Sequence, residues 1–164
     1  MEPGNQQPSN RRANRKRRIE QKNGTARIVI SGDPVQQKRA RACIRGKHAG
    51  VYSTQQNEAA VFKVKALEQF SRKPLEGALE VMMFFYMRRP KSHLGTGKNA
   101  GMLKRSAPKF HTSKPDVDNL AKFCLDACNG IIWRDDALVV ALMAFKRYVD
   151  PGETPETIID VRTI

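Results

Sequence analysis

Residues 78–87 read ALEVMMFFYM, and only Glu80 interrupts the apolar character. Successive side chains of a strand point to opposite sides, so a run that is apolar at nearly every position needs cover on both faces. This stretch is therefore expected to be a central strand, with the rest of the chain arranged around it. ARIVISG (26–32) reads as a shorter strand ended by Gly32, Asp33 and Pro34. Residues 35–53 are basic and irregular, with a hairpin closing at Val51–Tyr52 as one reading. Thr54 is placed to cap a helix over roughly 55–72, with Ala59, Phe62, Ala66, Leu67 and Phe70 along one stripe; Pro74 and Gly77 end it.

The second half continues the pattern. Residues 88–115 have three glycines, three prolines and no apolar period, which predicts a long basic loop. Leu120, Phe123, Cys124 and Ala127 fall at i, i+3, i+4 and i+7, so a helix is expected over roughly 118–129, stopped by Asn129–Gly130. ALVVALMAFKRYV (137–149) is a long strand, Pro151–Gly152 a turn, and TIIDVRTI (157–164) the last strand. The element order predicts an α+β fold: a two-layer sandwich of one mixed β-sheet with two helices packed on one face.

Charge divides the chain differently. It has 164 residues and a formal net charge of +14, from 30 Lys and Arg against 16 Asp and Glu. That excess favours a polyanionic partner, nucleic acid first. A membrane surface is the weaker reading, because no long apolar run or Lys-rich amphipathic helix supports it. Residues 1–24 are polar, end in a basic run and contain no apolar core, so they read as a disordered basic arm ahead of a folded domain over 25–164, with no secretory signal. Three cysteines, Cys43, Cys124 and Cys128, fit a reducing compartment better than a disulfide scaffold. Residues 34–50 and 88–115 carry five and eight basic residues and no acid, yet from Asp116 onward nine acids outnumber five bases.

That acidic tract is the chemical signal. Asp116 and Asp118 flank one residue in PDVDN, Asp118 at or near a helix N-terminus, where a carboxylate is favoured. Asp135 and Asp136 precede the next strand, and a short helix followed by a strand is expected to bring this second pair back beside the first. Converging carboxylates raise one another's pKa or take up a cation. An all-oxygen set suits a hard ion, Mg2+ or Mn2+. Such an ion reverses the local sign, binds a phosphate oxygen and activates water, which is metal-assisted phosphodiester hydrolysis. Lys122, four residues after Asp118, is either an ordinary helix ion-pair partner or a phosphate contact, and spacing alone leaves both open. Asp126 reads as a solvent-facing acid. An EF-hand is excluded, since the sixth and twelfth positions from Asp116 are Ala121 and Ala127.

KPDVDNLAKFCLDACNGIIWRDDALVV (114–140) resembles the signature of the RusA-type Holliday junction resolvases, endonucleases that cut four-way DNA junctions. The K-P-D-x-D-N-L-x-K opening, D-A-x-N-G and the later D-D all occur in order, and the likeness runs over roughly residues 27–164. Ala40, Cys128 and Leu138 depart from the family pattern outside the acidic positions. The resemblance implies a homodimeric nuclease dependent on Mg2+, with Mn2+ as substitute. It puts the essential acids on Asp116, Asp118 and Asp136, the essential lysine on Lys122, and an accessory acid on Asp135. The expected partner is four-way or branched DNA, with no membrane and no nucleotide cofactor, since no P-loop or G-x-G-x-x-G occurs. Lys38, Arg39, Arg41, Lys104, Arg105, Lys109 and Lys114 are then the expected phosphate contacts. The implied location is inside the cell with DNA: cytoplasm in a prokaryote or phage host, nucleus in a eukaryote. Two other readings stay open here: a metal-dependent nuclease acting on flap DNA or RNA, and a non-catalytic basic nucleic-acid binder. His48, His93 and His111 are scattered, and Trp133 reads as packing.

Overall fold

The structure, a computed structural model, describes residues 24–38, 41–45, 48–52 and 55–164, with backbone alone at 41–52. The expected basic arm, Arg39 and the expected cap Thr54 fall outside the described residues. Strands β1 (Thr25–Ser31), β4 (Leu79–Met87), β5 (Val139–Tyr148) and β6 (Glu156–Thr163) form a sheet in the order β1-β6-β4-β5. β6 is antiparallel to both β1 and β4, whereas β4 and β5 run parallel, so the sheet is mixed as expected. β2 (Arg41–Arg45) and β3 (His48–Tyr52) form a separate antiparallel hairpin.

β4 takes the interior position that its composition demanded. Leu79, Val81, Met83, Phe85 and Met87 are buried, and the alternate residues Glu80, Met82, Phe84 and Tyr86 are half-buried. The buried face lies under α1 (Gln56–Gln69) and α2 (Val117–Cys128), which makes the two layers. The other face carries cross-strand ion pairs, Arg27 Nε to Asp160 Oδ1 at 2.5 Å and Arg162 Nη2 to Glu80 Oε2 at 2.5 Å.

α1 starts at the N-cap Gln55, which makes no side-chain cap hydrogen bond, and buries Phe62 and Ala66 with Phe70 just beyond its end. Leu67, expected in that stripe, is 52% exposed. At 100° per residue it lies roughly a quarter turn from the stripe's centre, on the helix flank. α2 buries all four expected residues, Leu120, Phe123, Cys124 and Ala127, together with Ala121 and Cys128. The rings of Phe62 and Phe123 meet edge to face at 5.5 Å and join the two helices. Burial pushes both thiols, Cys124 and Cys128, above the ordinary range, so they are core residues rather than thiolate ligands.

Two anchors hold the ends of the sheet. At the start of β4 and β5, Trp133 is completely buried and its Nε1 donates to Asn129 Oδ1 at 2.9 Å. There Leu75 N donates to Ile132 O at 2.8 Å and Arg134 N to Leu75 O at 3.1 Å. At the far end, the basic segment 88–115 is more ordered than its lack of apolar period predicts. Leu94 bridges Leu103, and Arg89 donates to Val149 O at 2.7 Å and Pro108 O at 2.8 Å while lying over the Tyr148 ring. His93 and His111 pack on the same ring, with centroids at 4.9 and 4.8 Å. Tyr148, not an apolar repeat, is what this segment folds around.

Trp133→Ala removes the largest buried side chain and strands the Asn129 amide, so it should cost about 3–5 kcal/mol in urea unfolding. Burial first, and then the nearby Lys146 ammonium, hold the His111 pKa below its ordinary value. The unfolded state therefore binds the proton first. His111's share of stability is fully present above pH of about 6.5, the unfolded value, and is lost as pH falls from there through the lower folded value. Unfolding curves at several pH values should show a shallower loss of stability between neutral and mildly acid pH for His111→Phe than for wild type.

Candidate active site

The turn before α2 is set by a buried-side lysine. β5 alternates, and at the position where Phe85 of the neighbouring strand faces the helices it places Lys146. Its Nζ donates to Ser113 O at 2.8 Å and Pro115 O at 2.6 Å. Two carbonyls neutralise a half-buried ammonium better than apolar neighbours would. The consequence is positional: the chain just before Asp116 is fastened to the end of β5.

Asp116 is the N-cap of α2, with extended backbone and no side-chain cap hydrogen bond. Asp118 sits in the first turn. Both are exposed, and neither forms an ion pair among the described residues. The helix N-terminus offers partial positive charge that tolerates two acids so close together. Lys122 is exposed one turn on and makes no ion pair with Asp118 among the described residues. The plain helix-pair reading of that lysine therefore has no support. Asp126 is exposed beside a shallow groove between the helices, lined also by Gln37, Gln55 and Lys63.

The second aspartate pair lies elsewhere. Asp135 Oδ1 accepts from Ala137 N at 2.9 Å and caps the short 3-10 turn Asp136–Leu138 that leads into β5. Asp136 is the first residue of that turn and half-buried. This turn adjoins Leu79 and Trp133, at the start of β4 and β5, whereas Pro115 is tied to Lys146 near the end of β5. α2 runs the length between them, about 18 Å at 1.5 Å per residue. Within one chain the two pairs thus stand at opposite ends of α2 rather than side by side. Among the described residues no three His, Cys, Asp or Glu are grouped to hold a metal ion. Asp116 and Asp118 offer hard oxygen donors suited to Mg2+ or Mn2+, but one chain supplies only part of a three-carboxylate set.

Basic residues flank the Asp116 end on two sides. Gln37 N donates to Asn119 O at 2.8 Å, which lays the start of the first basic tract along the first turn of α2. Lys38 there pairs with Glu58 at 2.8 Å and remains partly exposed. On the other side Lys104, Arg105, Lys109 and Lys114 are all exposed. Lys104 Nζ reaches Ser92 O at 2.9 Å, and Lys109 lies 5.9 Å from the Phe110 ring. Arg41 is in β2, with only its backbone described. Sequence reading missed Lys146 and Gln37. The signal for Lys146 was a lysine at an inward position of an otherwise apolar strand; the Gln37 contact uses a backbone N–H that any residue has.

A family model described as endodeoxyribonuclease RusA matches residues 31–162, which include every aspartate and lysine discussed above. The uncharacterized protein YqaN of Bacillus subtilis (strain 168) is 30% identical over 142 residues, covering 84% of this chain and 96% of that relative. Among the described residues no helix is long and apolar enough to cross a membrane. With the acidic helix start, its basic flanks and a match over most of its length, the chain belongs to the RusA family of endodeoxyribonucleases.

Proposed function

We propose that this protein is a structure-selective endonuclease that resolves Holliday junctions by paired, Mg2+-dependent hydrolysis of phosphodiester bonds, in DNA recombination and repair. The observation that carries the reading is the placement of Asp116 and Asp118, without ion-pair partners among the described residues, at a helix N-terminus between two basic segments. Carboxylates repel phosphate, so acids in this position serve a DNA enzyme only through a cation. Asp116, Asp118 and Asp136 are the proposed ligands, with Asp135 as accessory. A bound Mg2+, or Mn2+ in its place, would supply charge for the phosphate oxygen and a more acidic water.

The chain's own residues do the rest. Lys122 stands one turn from Asp118 and supplies a positive group to the phosphate as charge develops. Lys146 keeps the turn before Asp116 in place. Lys104, Arg105, Lys109 and Lys114 of the second basic tract, with Lys38, Arg39 and Arg41 of the first, hold the duplex arms by their phosphates. The junction is nearly two-fold symmetric, so a homodimer delivers two matched nicks. The protein acts inside the cell, where its DNA substrate is.

Asp116→Asn and Asp136→Asn should each abolish cleavage of a synthetic four-way junction while leaving band-shift binding intact or tighter, because they remove charge that repels phosphate. Wild-type cutting by both variants would refute the ligand assignment. Lys146→Met should lower cleavage about 10–100-fold, the usual range for a residue that orients ligands. Raising Mn2+ should recover much of that rate; a deficit unmoved by metal would show that Lys146 acts only on folding.

A further inference from the structure

The sheet face away from the helices divides into two unlike halves. Toward the start of β4 its arginines are matched with acids, Arg27 with Asp160 and Arg162 with Glu80. Toward the end of β5 it is aromatic. Phe145 stacks on Phe84, with centroids 5.3 Å apart and planes 13° from parallel. Tyr86 and Arg147 come two residues further along the same strands and so share that face. The Arg147 guanidinium lies 4.6 Å from the centre of the Tyr86 ring. The basic segment adds another ring. Phe110 bridges Arg147 in antiparallel sense, with Tyr148 N donating to Lys109 O at 3.1 Å. Side chains opposed in such a pair lie on one face, so Phe110 extends the aromatic surface past the edge of β5. The Lys109 ammonium stands 5.9 Å from its ring.

These groups are open to a ligand. Phe110 and Phe145 are 63% and 51% exposed, and Phe84, Tyr86 and Arg147 are half-buried. Neither Arg147 nor Lys109 forms an ion pair among the described residues, unlike the arginines of the other half. The neighbouring acid is Glu156, opposite Tyr86 on β6. Burial, and then Glu153, raise its pKa and so favour its neutral form. The core of a protein interface is depleted of charge, whereas a nucleic acid strand takes planar rings for its bases and free cations for its phosphates. Lys146, between Phe145 and Arg147, turns to the other face and holds the carbonyls before Asp116. The aromatic surface and the acidic helix start therefore back onto the same end of β5. We propose that this surface is a stacking platform for unpaired DNA bases, and that it favours substrates whose strands are already open beside the cleavage point over continuous duplex. The inference rests on the endonuclease reading above.

Binding by the full-length protein, in chelator so that nothing is cut, tests the platform. The probes are a single-stranded oligo-dT, an abasic strand of the same length and a blunt duplex. Wild type should bind oligo-dT about 5–150-fold more tightly than the abasic strand, the range expected of stacked bases. The double variant Phe110→Leu, Phe145→Leu keeps apolar volume and every charge but loses both exposed rings. It should lose that preference, while its duplex affinity and salt dependence stay at wild-type values. A fluorescent adenine analogue within the single strand should be quenched when wild type binds, a reading that needs no variant. Equal binding of the two strands by wild type, an unquenched analogue, or a double variant that retains the preference would overturn the proposal. A double variant whose sedimentation shifts while its preference for oligo-dT stays would make this face an interface between copies, and would overturn it too. Wild type that cuts branched DNA yet shows no preference for bases removes the platform alone. Wild type that neither binds nor cuts any DNA removes the endonuclease reading, and the platform with it.

Discussion

The parallel pairing of β4 with β5 governs the layout of the rest of this molecule. Antiparallel neighbours can be joined by a tight turn, but parallel ones need the chain to travel back along the sheet before the second strand starts. Here the return is made by the basic segment after β4, which ends beside the last residues of β5, and then by α2, which runs back to where both strands begin. α2 therefore has its N-terminus at one end of the sheet and its C-terminus at the other. Asp116 and Asp118 go with the first, and Asp135 and Asp136 with the second. The geometry that lets the core close is the same geometry that separates the acids.

Electrostatics follow from that placement. An N-terminal helix turn tolerates two aspartates because its free N–H groups carry partial positive charge. The surrounding backbone contacts bring basic tracts to the same end, one through Gln37 on Asn119 and the other through Lys109 on Tyr148. The basic excess of the whole chain is thus not a uniform coat. It borders a small acidic point that, without a cation, would weaken any hold on phosphate.

Much of the architecture was legible beforehand because it rests on local periods. The all-apolar run at 78–87 is the interior strand, and the i, i+3, i+4, i+7 pattern of α2 is buried at every predicted position. Leu67 was misplaced because a stripe read from spacing has blurred edges, and a leucine on the flank goes to solvent when no neighbour covers it. The order in 88–115 was hidden for another reason. It comes from Arg89, His93 and His111 gathered on Tyr148, residues far apart in sequence with no repeat to reveal them. The aspartates, Lys122 and the family they indicate were visible as a motif, since the spacing of functional groups along one helix is itself local.

By itself, then, the chain's sequence determined its strands and helices, its mixed two-layer class and the motif of the endodeoxyribonuclease family it belongs to, since turn chemistry, side-chain periodicity and motif spacing all act over a few residues. Only the tertiary structure decided where those residues stand. The direction of a crossover, and so which end of the sheet receives each aspartate pair, depends on how distant strands pair. It also decided that β5, as apolar as an interior strand, lies at an edge: strand order is set by long-range hydrogen bonding, which no local pattern encodes.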